Sequence, residues 1–218
     1  MEFKIDIKIF LVGLIFFVVN QLNIYILFMI FVIIHECFHL LTGIILGYKV
    51  KSLKIMPLGV SICFKEKEDE YNTKIKKSNI NNIKKIIILL MGPISNIVIA
   101  GIFLLLKKAE PIYINILIAI FNLLPIYPLD GGQILNRVLR IFYSNFEAYK
   151  ISNFINNIIM AILTALASIG ILYTKNIAII FIVIFMWCLI IKENRKYKEM
   201  SKYFKSFHNL DKKANYNI

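Results

Sequence analysis

Charge is scarce in this chain. Only 18% of its 218 residues are Asp, Glu, Lys or Arg, where a soluble domain carries about a quarter. Cysteine is equally thin: Cys37, Cys63 and Cys188 are scattered and form no C-x-x-C pair. The sequence therefore offers neither a disulfide framework nor a cysteine zinc site. Acidic residues number 13 against 26 basic ones, and there are three histidines. The first apolar block, from about Ile9, lacks a small-x-small cleavage site, so it reads as a first membrane helix and not as a signal peptide. The net charge of +13 comes without any nucleic-acid-binding motif, and no nucleic-acid partner is expected.

Apolar residues are what the chain has in excess: 59%, gathered in long blocks. A soluble core shows short periodic stripes, whereas runs of roughly 18 or more apolar residues read as membrane-spanning helices. The expected fold class is an all-α polytopic membrane protein with about six spans. They are Ile9–Val19, Ile24–Leu46, Ile86–Leu106, Ile112–Leu129, Ile155–Tyr173 and Ile177–Ile191. Residues 1–191 then form one membrane domain and 192–218 a basic tail, read as a helix on the membrane surface. With both termini cytoplasmic, 23 of the 26 basic residues lie inside and only Lys107, Lys108 and Lys175 outside. The excess of positive charge on cytoplasmic loops favours this orientation. Basic flanks also touch anionic lipid, which makes membrane lipid a partner.

One loop is long, from about Tyr48 to Lys85. Val50-Lys51-Ser52-Leu53-Lys54-Ile55 alternates apolar and polar residues, and Val60-Ser61-Ile62-Cys63-Phe64 alternates again after Pro57 and Gly59. Two short strands, a β-like hairpin near the membrane surface, are expected there. Glu66 to Lys85 reads either as a connector with an interfacial helix or as a plain linker.

Ionisable residues inside the spans decide the chemistry. Such a residue costs about 2.5–3.5 kcal/mol at the bilayer centre, so each needs a reason. Of the acidic residues only Glu36 and Asp130 fall in or at the end of a span, and two of the three histidines, His35 and His39, fall within the second. His35 and His39 are four residues apart and share one helix face. Two imidazoles so placed can hold one zinc ion, with Glu36 beside them as general base, in the H-E-x-x-H arrangement. Catalytic zinc takes three protein ligands and keeps an open position. Asp130 is the candidate third ligand, in Pro125-Ile126-Tyr127-Pro128-Leu129-Asp130-Gly131-Gly132, where two prolines interrupt the helical pattern. Seen alone, Asp130-Gly131-Gly132 reads as a turn and helix cap. Asn96 and Asn122 are open between helix–helix glue and contact with substrate or oxyanion. Gly92 and Pro93 read as a close-packing and kink device. Cys37 and Phe38 take no role, Tyr127 reads as packing, and His208 as a solvated tail residue.

These residues resemble the site-2 protease (M50) family of intramembrane metalloproteases. The resemblance rests on His35-Glu36-Cys37-Phe38-His39, then Gly92-Pro93-Ile94-Ser95-Asn96, then Asn122-Leu123-Leu124-Pro125-Ile126-Tyr127-Pro128-Leu129-Asp130-Gly131-Gly132, in that order. It covers a three-helix catalytic core of about residues 24–140. It implies one zinc per chain held by His35, His39 and Asp130, with Glu36 as base. About 37 residues separate spans two and three, so no PDZ domain is expected between them, and no CBS domain is expected after the last span. Within the family, the layout looks like the sporulation branch that cleaves a sigma-factor precursor. A membrane-associated or single-span protein substrate follows, and a membrane-embedded inhibitory partner or a homo-oligomer is compatible with the sequence. Composition rich in Lys, Ile and Asn suits an AT-rich bacterial genome, and the expected location is a bacterial membrane. Two alternatives stand beside it: a general site-2 protease acting on anti-sigma factors or signal-peptide remnants, and a metal-binding membrane transporter. A transporter would not need a Glu beside the first His.

Overall fold

The computed structural model describes residues 2–5, 17, 20–56, 59–64, 75–174 and 178–215. The protein is mostly helical and divides into two compact units, Met1–Leu124 and Pro125–Ile218. Strand β1 (Glu2–Ile5) is followed by helix α1 (Leu22–Ile45), strands β2 (Val50–Met56) and β3 (Gly59–Phe64), and helices α2 (Ile75–Leu105) and α3 (Ala109–Leu123). The second unit holds α4 (Asp130–Phe142), α5 (Asn145–Thr174) and α6 (Ala178–Asn215).

Among the described residues, three helical stretches are long and apolar enough to cross a membrane: Leu22–Ile45, Asn79–Leu105 and Asn145–Leu172. The 24 residues of α1 extend about 36 Å, more than the roughly 30 Å of a bilayer's hydrocarbon core. The candidate first span, Ile9–Val19, falls almost wholly outside the described residues. Within the candidate sixth, residues 178–191 are helical and continue without a break to Asn215, so the basic tail extends this helix. The candidate fourth span is shorter than expected, because α3 stops at Leu123 and does not run on to Leu129. Pro125 is the cause. A residue before proline is pushed out of the helical region, and Leu124 has ψ 130°. The candidate third span begins earlier, since the helix starts at Ile75 and absorbs much of the charged connector.

In the first unit α1, α2 and α3 pack on one another. Phe31 and Val32 of α1 and Ile118 of α3 form its buried centre, with Ile99 and Phe103 of α2 against them. Phe31 and Phe103 meet edge to face, centroids 5.8 Å apart, an arrangement aromatic pairs favour. The outward faces carry many exposed Ile and Leu side chains, as a lipid-facing surface requires.

The C-terminal ends of α1 and α2 close in the same way. Gly47, at φ +84°, follows α1, and the Gly47 and Tyr48 amides donate to the carbonyls of Ile44 and Gly43. This paired pattern with a left-handed residue satisfies carbonyls that the helix leaves open. It turns the chain sharply from α1 into β2. Lys107, at φ +54°, does the same after α2, with the Lys107 and Lys108 amides donating to Leu104 and Phe103. The three strands form one sheet in the order β1-β2-β3. β2 and β3 pair antiparallel, and β1 lies parallel to β2 with Phe3 opposite Leu53.

Candidate metal centre

His35 and His39 stand one turn apart on α1 and are both buried. Their rings are nearly perpendicular, with centroids 4.7 Å apart, and their Nε2 atoms approach to 3.1 Å. Two nitrogens on one tetrahedral zinc lie about 3.3 Å apart, given Zn–N bonds near 2.0–2.1 Å. The pair is therefore spaced for one small cation. Each Nδ1 is held from behind: His35 Nδ1 lies 2.5 Å from Asn96 Oδ1 and His39 Nδ1 lies 2.7 Å from the Ile88 carbonyl oxygen. Both of those partners accept, so each Nδ1 carries the proton and each Nε2 presents its lone pair. That is the tautomer a metal-binding imidazole needs. Glu36, the neighbour of His35, is half-buried.

Helix α2 supplies the wall behind the imidazoles. At Gly92 a Cβ would sit 2.4 Å from His39 Cε1 and Nε2 and 2.6 Å from His35 Nε2. Only glycine lets this backbone pass so close. Pro93 follows inside the helix and has no N–H to donate to the turn before it. Ser95 Oγ donates back to the Gly92 carbonyl at 2.6 Å, within the same turn. Asn96 is fully buried, and its Nδ2 donates to Asn115 Oδ1 of α3 at 2.9 Å. Asn122 lies half-buried in the last turn of α3. Asn115, which the sequence reading passed over, is fully buried as well. A polar residue inside an apolar helix was the signal that could have found it.

In the second unit Asp130 is buried and opens α4. A helix N-terminus favours negative charge. The segment before it is non-helical and contains a cis Tyr127–Pro128 bond. Gly132 packs against this segment so tightly that a Cβ would lie 2.2 Å from the Tyr127 nitrogen and 2.3 Å from the Ile126 carbonyl carbon. Gln133 Nε2 donates to the Pro128 carbonyl at 2.9 Å. Asn156 of α5 is buried, and its carboxamide nitrogen donates to the Pro125 carbonyl at 3.0 Å and to the Ser152 carbonyl at 3.2 Å. The sequence reading passed over Asn156 too.

The chain matches the model of peptidase family M50 over residues 23–110 and 111–166, about two thirds of its length. The chain belongs to peptidase family M50. It is similar to the zinc metalloprotease MJ0392 of Methanocaldococcus jannaschii, with 28% identity over 165 residues, 75% of this chain and 47% of that protein. The chain thus spans about half the length of the curated relative it matches. Its fold is similar to that of the site-2 protease from Methanocaldococcus jannaschii, with a TM-score of 0.61 and 20% identity over 88% of this chain and 89% of that one. M50 is a family of zinc metalloproteases, and the candidate ligands are each buried, His35 and His39 in the first unit and Asp130 in the second. The three apolar helices among the described residues agree with a membrane protein of this family.

Proposed function

We propose that this M50 protein is an intramembrane zinc endopeptidase that cleaves a membrane-associated or single-span protein at the cytoplasmic side. The observation that carries the reading is the imidazole pair, 3.1 Å apart at Nε2 and fixed from behind, with Glu36 next to it on the same helix turn. His35, His39 and Asp130 would hold the metal and Glu36 would be the general base. Zinc, when bound, supplies Lewis acidity and lowers the pKa of water toward about 7. Glu36 takes the proton of the attacking water and returns it to the departing amine. Asn122 hydrogen-bonds the unwound substrate strand or the oxyanion. The buried carboxamide of Asn96 faces His35, which supports a role in orienting that ligand over direct substrate contact.

Six spans with cytoplasmic termini complete the reading, supported by the placement of basic residues, with the β2–β3 hairpin at the cytoplasmic membrane surface. The substrate in this reading is a sigma-factor precursor, as for stage IV sporulation protein FB, whose layout the sequence resembles. A second reading, a general site-2 protease acting on anti-sigma factors or signal-peptide remnants, draws support from the similarity to the zinc metalloprotease of Methanocaldococcus jannaschii. Membership in a peptidase family gives a transporter no support.

The test is co-expression with candidate sigma-factor precursors and single-span membrane proteins, comparing the wild type with Glu36→Gln. The variant should lose cleavage by a factor of at least about 10²–10⁴, the usual weight of general acid–base catalysis, and keep its zinc. Cleavage at the wild-type rate would sink the mechanism.

A further inference from the structure

Behind His35 runs a chain of amides that ends on a backbone carbonyl. Asn115 Nδ2 donates to the Pro111 carbonyl oxygen at 2.8 Å. A carbonyl can only accept, so the nitrogen of this carboxamide must face Pro111. Its oxygen then faces Asn96 and accepts from Asn96 Nδ2 at 2.9 Å. Asn96 is left with its oxygen toward His35 Nδ1, 2.5 Å away. Each link removes the freedom of the next, and the last link puts the proton on Nδ1. Both asparagines are completely buried, so no water can replace a lost partner cheaply. His39 needs no such relay, because its Nδ1 meets the Ile88 carbonyl directly.

We infer that Asn115 is a positioning residue for the metal centre, which it serves from a third helix by fixing, through Asn96, which nitrogen of His35 is free to bind zinc. This rests on the reading that His35 and His39 hold the metal. Without Asn115, the Asn96 carboxamide is free to turn over. Its NH2 would then face His35 Nδ1, which becomes the acceptor, and the ring proton moves to Nε2, where the metal should sit. Packing alone does not explain the arrangement: a leucine has the same branched shape and number of side-chain heavy atoms and would leave no polar atom of its own to satisfy.

The test uses the full chain in lipid bilayers, with zinc affinity measured by chelator competition. Asn115→Leu should weaken zinc binding about 10–100-fold, the usual effect of losing a group that orients a ligand. The double variant Asn96→Asp, Asn115→Leu should recover most of that loss, because a carboxylate presents an acceptor to His35 whichever way it turns. A merely structural role predicts the opposite, since a second polar change in the core would weaken the protein further. Zinc affinity unchanged in Asn115→Leu, or lower still in the double variant, overturns the inference. If His35→Ala binds zinc as the wild type does, the ligand reading beneath it fails instead. The wild type alone gives an independent check should Asn115→Leu not fold. In zinc-loaded wild type labelled with 15N-histidine, His35 and His39 should each show a protonated Nδ1 and a metal-bound Nε2, and an unprotonated Nδ1 on His35 overturns the inference.

Discussion

A single missing side chain makes the imidazole pair possible. At Gly92 a methyl group would overlap atoms of both His35 and His39, and neither ring can yield, because Asn96 and the Ile88 carbonyl hold them from behind. Gly92→Ala therefore sets two effects against each other. Alanine favours the α2 helix by about 1 kcal/mol, while a contact near 2.4 Å must be relieved by moving the rings. The rings should lose. We expect Gly92→Ala to keep its helix content by circular dichroism and to bind zinc more than about tenfold more weakly in a chelator titration, in line with other changes behind a metal ligand. Undiminished affinity would show that the rings can step aside. Much of this residue-level picture was legible in the sequence. His35, Glu36, His39 and Asp130 stand out because ionisable groups in apolar spans are costly. The close approach at Gly92 was legible only as a packing device, because what a glycine lets in depends on its neighbours across the helix interface. Asn115 was missed, because in sequence it is one polar residue in an apolar helix, and only the fold places it against Asn96.

At the level of elements, the segment between α3 and α4 departs most from the sequence reading. Apolar periodicity carries the fourth span to Leu129, yet the helix ends at Leu123 and a new one starts at Asp130. Proline geometry outweighs hydropathy there, since Pro125 disfavours helix at Leu124. Periodicity also failed to mark the thirteen residues of α4, whose polar content hides them between two spans. Gly132 then fixes how the new helix leaves the loop. Its neighbours are backbone atoms of Ile126 and Tyr127, which cannot rotate away as a side chain can. Gly132→Ala should cost about 1–3 kcal/mol, as overpacking does elsewhere. It should also lower zinc content by displacing Asp130, under the proposed ligand set. Lys107 offers the reverse case. It occupies a left-handed conformation that costs an L-residue roughly 1–2 kcal/mol and glycine almost nothing. Lys107→Gly should raise the thermal midpoint of the detergent-solubilised protein, and Gly132→Ala should lower it. A shift of the same sign in both would contradict these local readings.

For the whole molecule, charge placement remains the main guide to orientation. Twenty-three of 26 basic residues fall on one side of a six-span layout, and the energetic preference behind that bias is a property of the entire chain. The described helices include three stretches that by length and composition can cross a membrane, while α3, at 15 residues and about 22 Å, is short for a span. A short helix followed by irregular backbone is tolerated at membrane depth where protein buries it or water reaches it. Water must also reach a hydrolytic centre, so the break after Leu123 and the proposed chemistry ask for the same feature. Cysteine accessibility tests the layout directly. In a background with Cys37, Cys63 and Cys188 replaced, single cysteines are placed at the exposed positions Lys107, Lys150 and Lys202. A membrane-impermeant maleimide added to intact cells should label position 107 and spare 150 and 202, and permeabilising the cells should expose all three. Labelling of 150 or 202 in intact cells, with 107 protected, would invert the orientation and place the site toward the opposite face. Labelling of 107 and 202 together would mean an even number of spans between them, against the three that the positive-inside layout requires.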